Sequence, residues 1–106
     1  MRILFDQGTP VPLRTFLSQH EVSTAFERGW SDLKNGELLA AAERDGFTVF
    51  VTTDSSLRFQ QNLTGRRIAI VVLLSTSWPR IERTVGAVVK AIGAAAPGSC
   101  TEVQIL

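Results

Sequence analysis

Apolar and polar positions along the chain alternate between short continuous runs and longer helical stripes. Ile3, Leu4 and Phe5 form the first run, and Asp6 closes it. The run Phe47, Val49, Phe50 and Val51 is β-branched and aromatic, with Gly46 before it and Thr52, Thr53 and Asp54 after it. It predicts a strand over Phe47–Thr52 that is covered on both faces. Arg67–Leu74, nearly all Ile and Val at its centre, gives the strongest strand signal and predicts a central strand. Glu21–Ala25 and Thr101–Leu106 are more polar and predict strands nearer the edges. Between them, Gln7-Gly8-Thr9-Pro10 reads as a turn in which Thr9 caps a short helix with Pro10 at its first position. Asn35–Gly46 reads as a helix with Asn35 as cap, Glu37 in the first turn and Gly46 at the end. Ser55 or Ser56 caps a short helix over Leu57–Leu63. Ser77-Trp78-Pro79 opens one long helix carrying Ile81, Val85, Val88, Val89 and Ile92.

This alternation predicts one α/β domain over residues 1–106: a parallel sheet of about five strands with helices on both faces, in three layers. A chain of 106 residues is long enough to bury roughly 60–65% of its unfolded surface without staples. Hydrophobic residues make up 44% and charged residues 20%, which argues against disorder. The formal charge of +1 offers no global attraction for nucleic acid, so any basic footprint has to be local. The lone cysteine, Cys100, makes no internal disulfide and reads as a small buried hydrophobe. Arg2 and Asp6 interrupt the only apolar start, and the longest apolar run, Ile68–Leu74, is too short for a bilayer. The expected location is cytoplasmic, with no membrane association.

Candidate chemistry lies where strands end. Asp6 and Asp54 follow the first and third strands, and ligands of open α/β sheets bind outside the carboxyl ends of strands. Glu37 opens the helix leading into the third strand and is expected near the same rim. Three converging carboxylates would repel by roughly 4 kcal/mol per pair at about 4 Å and an effective dielectric near 20. Such a cluster needs a proton or a cation, and oxygen donors without His or Cys suit Mg²⁺ or Mn²⁺. Each acid also has a plainer reading. Asp6 can accept turn amides, Glu37 can serve the helix dipole, and Asp54 can cap the next helix. Thr52, Thr53, Ser56 and Arg58 could contact a phosphate, and Arg66, Arg67, Arg80 and Arg83 could follow a phosphate backbone. Trp30 and Trp78 read as packing residues, although a Trp30 beside the rim could stack on a base. His20 reads as a loop residue.

RILFDQGTP, HEVSTAFERGWSDLKNGELLAAAERDGF and VFVTTDSSLRFQQNL, taken together over about residues 1 to 75, resemble the PIN-like proteins, a small VapC-like branch of the PIN nuclease superfamily. The resemblance implies a Rossmann-type sheet and an acidic pocket that holds Mg²⁺ or Mn²⁺ for cleavage of RNA. Asp6, Glu37 and Asp54 match its acidic positions. It further implies a cognate antitoxin protein, the chain being the toxin of the pair. The sequence departs from the pattern at Gln7, where relatives commonly carry Glu, and at Ser56, where many carry Asp.

Two functions follow as expectations. One is a metal-dependent endoribonuclease with Asp6, Glu37 and Asp54 as metal ligands, cutting single-stranded RNA slowly and preferring Mn²⁺ because a fourth acid is missing. The other is a catalytically weak or inactive PIN-like module that works through protein or RNA partners. A phospho-receiver, which also places Asp at strand ends, fits less well, since the first strand ends in a single acid and the fourth shows no Lys arrangement. The Ala-rich long helix and the Trp30 loop are expected sticky surfaces, and a homodimer through that helix is a further expectation.

Overall fold

Five parallel strands carry the structure, a computed structural model that describes residues 1–57 and 65–106. They are β1 (Arg2–Phe5), β2 (Glu21–Thr24), β3 (Val49–Thr52), β4 (Ala69–Leu73) and β5 (Cys100–Val103), in the spatial order β2-β1-β3-β4-β5. Register aligns Phe5 with both Thr24 and Val51, and Thr52 with Val72, so the carboxyl ends share one rim. The polar strands β2 and β5 are the edges, as their composition predicts. β4 is interior and buried throughout, with β3 at the centre.

Side chains alternate between two cores, as strand geometry requires. Ile3, Phe5, Val49, Val51, Val71 and Leu73 face a 3-10 helix (Val11–Leu17) and two helices, α2 (Trp78–Arg83) and α3 (Val85–Gly93). Leu4, Phe50, Ile70 and Val72 face α1 (Asn35–Arg44) through Leu38, Leu39 and Ala42. Helices thus cover both faces. The β2 to β3 and β4 to β5 connections move in the same direction across the sheet yet lie on opposite faces. They are therefore of opposite hand, and one departs from the usual right-handed crossover. The short 3-10 helix cannot cover its face alone, and α3 packs beside it and against β5.

Local signals are redistributed at three places. Thr9 caps nothing, because the 3-10 helix has no side-chain cap and the Thr9 hydroxyl turns inward. Lys34, not Asn35, precedes the first turn of α1. A lysine has no acceptor to offer there, and the end is closed instead by Glu37, whose Oε1 accepts from the Lys34 amide at 3.3 Å. The single long helix expected after Ser77 is broken at Thr84, whose backbone leaves the helical region while its hydroxyl donates to the Arg80 carbonyl at 3.1 Å. Ser77 does cap, accepting from the Arg80 amide. The expected helix over Leu57–Leu63 lies outside the described residues from position 58. Among the described residues no helix is long and apolar enough to cross a membrane.

Glu43 ties α1 to the start of β4. Its carboxylate accepts from the Arg66 guanidinium at 2.9 Å, the Arg67 amide at 2.7 Å and the Ile68 amide at 3.3 Å. Burial raises its pKa, but those amides and the guanidinium outweigh it and hold the carboxyl below its ordinary value of 4.5. Glu43→Ala is expected to cost roughly 1–3 kcal/mol, the range for stranding polar partners. A lowered carboxylate stabilises above its unfolded pKa, and the benefit disappears as pH falls through the lower folded value. Urea unfolding should therefore show a deficit at neutral pH that narrows in acid; an equal deficit at both would mean that the carboxylate's charge is immaterial.

Candidate active site at the carboxyl rim

β1 is flanked by β2 and β3, so the chain leaves it first to one side and then returns to the other. Strand order reverses there, and open parallel sheets bind ligands outside the carboxyl ends of their strands at such a point. Asp6 follows β1 and Asp54 follows β3 at that rim. The Asp6 amide extends the ladder by donating to the Val51 carbonyl at 3.0 Å, which locks the acid's position one residue past β1.

Each carboxylate divides its oxygens between a local turn and the rest of the rim. Asp6 Oδ1 accepts from the Gly8 amide at 3.1 Å and lies 2.9 Å from the Thr9 hydroxyl, which also reaches the Val51 carbonyl. Asp6 Oδ2 accepts from the Thr52 hydroxyl. Asp54 Oδ1 accepts from the Ser56 amide at 3.0 Å and the Ser56 hydroxyl at 2.7 Å, so that oxygen serves its own turn. Asp54 Oδ2 accepts from the Asn35 side-chain amide at 3.3 Å. Thr52, 1% exposed, joins the two acids, since its Oγ1 donates to Asp6 and accepts from the Asp54 amide at 3.0 Å.

Their electrostatics diverge. Burial pushes the Asp6 carboxyl above its ordinary range, only partly offset by Thr52, Thr9 and the turn amides. The Ser56 hydroxyl draws Asp54 below its ordinary range against a smaller effect of burial, with help from the Ser56 amide and Asn35. Asp54 is the readier anion, while Asp6 is a half-buried acid with no cationic side chain against it among the described residues. Two carboxyls pushed apart in this way are a recurrent feature of functional sites.

Glu37 does not join them. It opens α1 at the expected rim, but its exposed side chain turns back to the Lys34 amide. Among the described residues no group of three or more His, Cys, Asp or Glu is gathered closely enough to hold a metal ion. The expected three-carboxylate convergence is thus a pair of acids joined by Thr52, because closing its own helix end satisfies Glu37 locally. Thr53 stands against the Gly8 turn: a Cβ on Gly8 would lie 2.8 Å from its Oγ1. Gly8 therefore matters by being small, and nothing in its turn signal told that apart from an ordinary loop glycine. Asn35 was equally hidden, since an Asn before a helix reads as a cap. Arg58 lies outside the described residues. Arg66 and Arg67 sit at the amino ends of the strands, away from the acids, and Arg66 pairs with Glu43. Trp30 packs edge-on against Phe47, with centroids 6.1 Å apart, and Trp78 against Phe16 at 6.0 Å.

Asp6 and Gln7 line two clefts. One, about 330 Å³, opens toward Thr24 and Phe26; the other, about 210 Å³, opens toward Trp30 and Asn35. A larger cavity of about 510 Å³ lies at the opposite rim, between Phe47, Ile68 and Pro97. The carboxylate it contains, Glu43, is already satisfied, so the chemistry favours the smaller clefts. The chain matches no protein-family model, no curated protein and no solved structure.

Proposed function

We propose that the chain is a PIN-like, metal-dependent endoribonuclease. The observation that carries this reading is the Asp6–Thr52–Asp54 linkage at the strand-order reversal, where one acid is drawn below its ordinary pKa and the other is raised above it by partial burial. The donor set suits a hard cation: carboxylate, hydroxyl and amide oxygens, with no sulfur or imidazole beside them. Asp6 and Asp54 would hold Mg²⁺ or Mn²⁺, which commonly takes one or two carboxylates from the protein and keeps several waters. The ion, when bound, supplies activation of water and neutralisation of charge on the phosphate. Thr52 keeps the two acids at fixed separation, and Asn35 orients Asp54 from the start of α1. Thr53 and Ser56 offer hydroxyls at the same rim for phosphate oxygens. Glu37 enters the site only by exchanging the Lys34 amide for the ion.

The test is calorimetric titration with Mn²⁺ beside cleavage of labelled single-stranded RNA, each with a chelator control. Asp54→Asn is expected to weaken Mn²⁺ binding by roughly tenfold or more with the fold unchanged. Ser56→Asp, which adds an acid to the same turn, is expected to raise cleavage. Mn²⁺ affinity that ignores Asp54→Asn would leave Asp54 as a cap alone. The turned-away Glu37 favours a second reading, a catalytically weak module that binds RNA or protein; RNA binding without cleavage in any metal would establish it.

A cognate antitoxin covering the rim follows from the resemblance to PIN-like toxins. The homodimer through the long helix has less to support it, since α3 presents Gly86, Ala87, Lys90 and Gly93 outward. Large exposed apolar side chains lie elsewhere, at Val11, Phe16 and Phe26 among others.

A further inference from the structure

Phe26 is 75% exposed, the most exposed aromatic ring among the described residues, although it stands only two residues past the buried end of β2. Its backbone is nonetheless held firmly. Glu27 takes both nitrogens of the Arg14 fork at 3.1 and 2.7 Å, accepts from the Thr24 amide at 2.9 Å and donates its own amide to the Thr24 hydroxyl at 3.0 Å. The Arg28 amide donates to the Thr24 carbonyl at 3.1 Å, and the Gly29 amide to that of Phe26 at 3.0 Å. These bonds fix the turn on either side of a ring that gives almost nothing to the core. The ring lines the 330 Å³ cleft that also contains Asp6. Trp30, beside the other cleft, is already engaged by Phe47 and by Arg28 at 5.1 Å, whereas no ring or cation contact is found for Phe26 among the described residues.

We propose that Phe26 is a stacking platform for one unpaired base of a single-stranded RNA whose neighbouring phosphate lies over Asp6. This rests on the nuclease reading and specifies its substrate. A rigid aromatic face loses little conformational freedom on binding, and every base presents a π face to it, so the contact favours single strands without selecting sequence. In a duplex the same base is stacked and paired, and the cleft cannot take it.

The experiment compares wild type with Phe26→Ala, Phe26→Leu and Phe26→Trp, all at an exposed position. Fluorescence anisotropy would follow a labelled random-sequence single-stranded RNA and a duplex control in Mn²⁺, with KM measured by cleavage. Phe26→Ala should bind the single strand about 5- to 150-fold more weakly. Phe26→Leu should not recover the loss, Phe26→Trp should, and duplex affinity should be unchanged throughout. If wild type binds and cuts while Phe26→Ala and Phe26→Leu match it, the platform is wrong and the nuclease reading survives. If wild type neither binds nor cuts single-stranded RNA, both fall. If light scattering shows wild type self-associating and Phe26→Ala monomeric, with equal RNA affinity, the ring is a protein contact and the proposal is overturned.

Discussion

Asp6→Asn is expected to lose the proposed Mn²⁺-dependent cleavage by roughly 100-fold or more while making the protein more stable. The first effect follows from removing a carboxylate assigned to the ion, since even groups that merely orient metal ligands are worth about 10- to 100-fold. The second follows from burial. Asp6 titrates above its ordinary value of 3.8 in the fold because its desolvation exceeds what Thr52, Thr9 and the turn amides return. Between the unfolded and folded pKa values the native state holds more protons than the unfolded chain, so stability falls as pH rises through that window. At neutral pH the charged carboxylate is a net cost, and Asn removes it while keeping an oxygen for Gly8 and Thr9. A gain of about 1 kcal/mol, roughly 4–8 °C in a domain of this size, is typical of relieving such a site. Urea unfolding of both proteins should show that gain at neutral pH and its disappearance toward pH 3.8 and below. A less stable Asn variant at neutral pH would make Asp6 a keystone of the turn rather than an anion held ready for a cation.

Phe50→Ala is expected to cost about 3–5 kcal/mol, the range for truncating a buried aromatic. Phe50 is fully buried at the middle of β3, level with Leu4 on one side and Ile70 on the other, and faces α1. Nothing around it can collapse into the space without moving a strand or the helix. Against the 5–15 kcal/mol typical of whole domains, the loss is large enough to populate unfolded chain at physiological temperature. The urea midpoint should fall while the slope is kept. Because β3 also carries Thr52 and leads to Asp54, the proposed Mn²⁺ binding should weaken with it. A shift below about 1 kcal/mol would show that the α1 face is loosely packed.

Much of where the two candidate acids lie was legible in the sequence. Asp6 and Asp54 each follow an apolar run too short for a helix, and parallel strands necessarily bring such ends to one rim. The plain reading of Asp6 as an acceptor of turn amides holds for one of its oxygens, which takes the Gly8 amide. What could not be read was which oxygen does which, because that depends on Thr52 reaching Asp6 across 46 positions of sequence. Glu37 shows the same limit from the other side. Its place in the first turn of α1 was readable, but its direction was not: the Lys34 amide is three residues away and needs no tertiary contact to win the carboxylate.

By itself, then, the sequence determined the strands, their burial and the acids at their ends, since periodicity, β-branching and Gly or Pro punctuation act locally. Only the tertiary structure decided the strand order that sets β1 between β2 and β3, the opposite hands of two crossovers and the break at Thr84. It also decided the raised pKa of Asp6 and the exposure of Phe26. Those depend on which surfaces meet across the sheet, and desolvation and packing are properties of the assembled neighbourhood rather than of any segment in it.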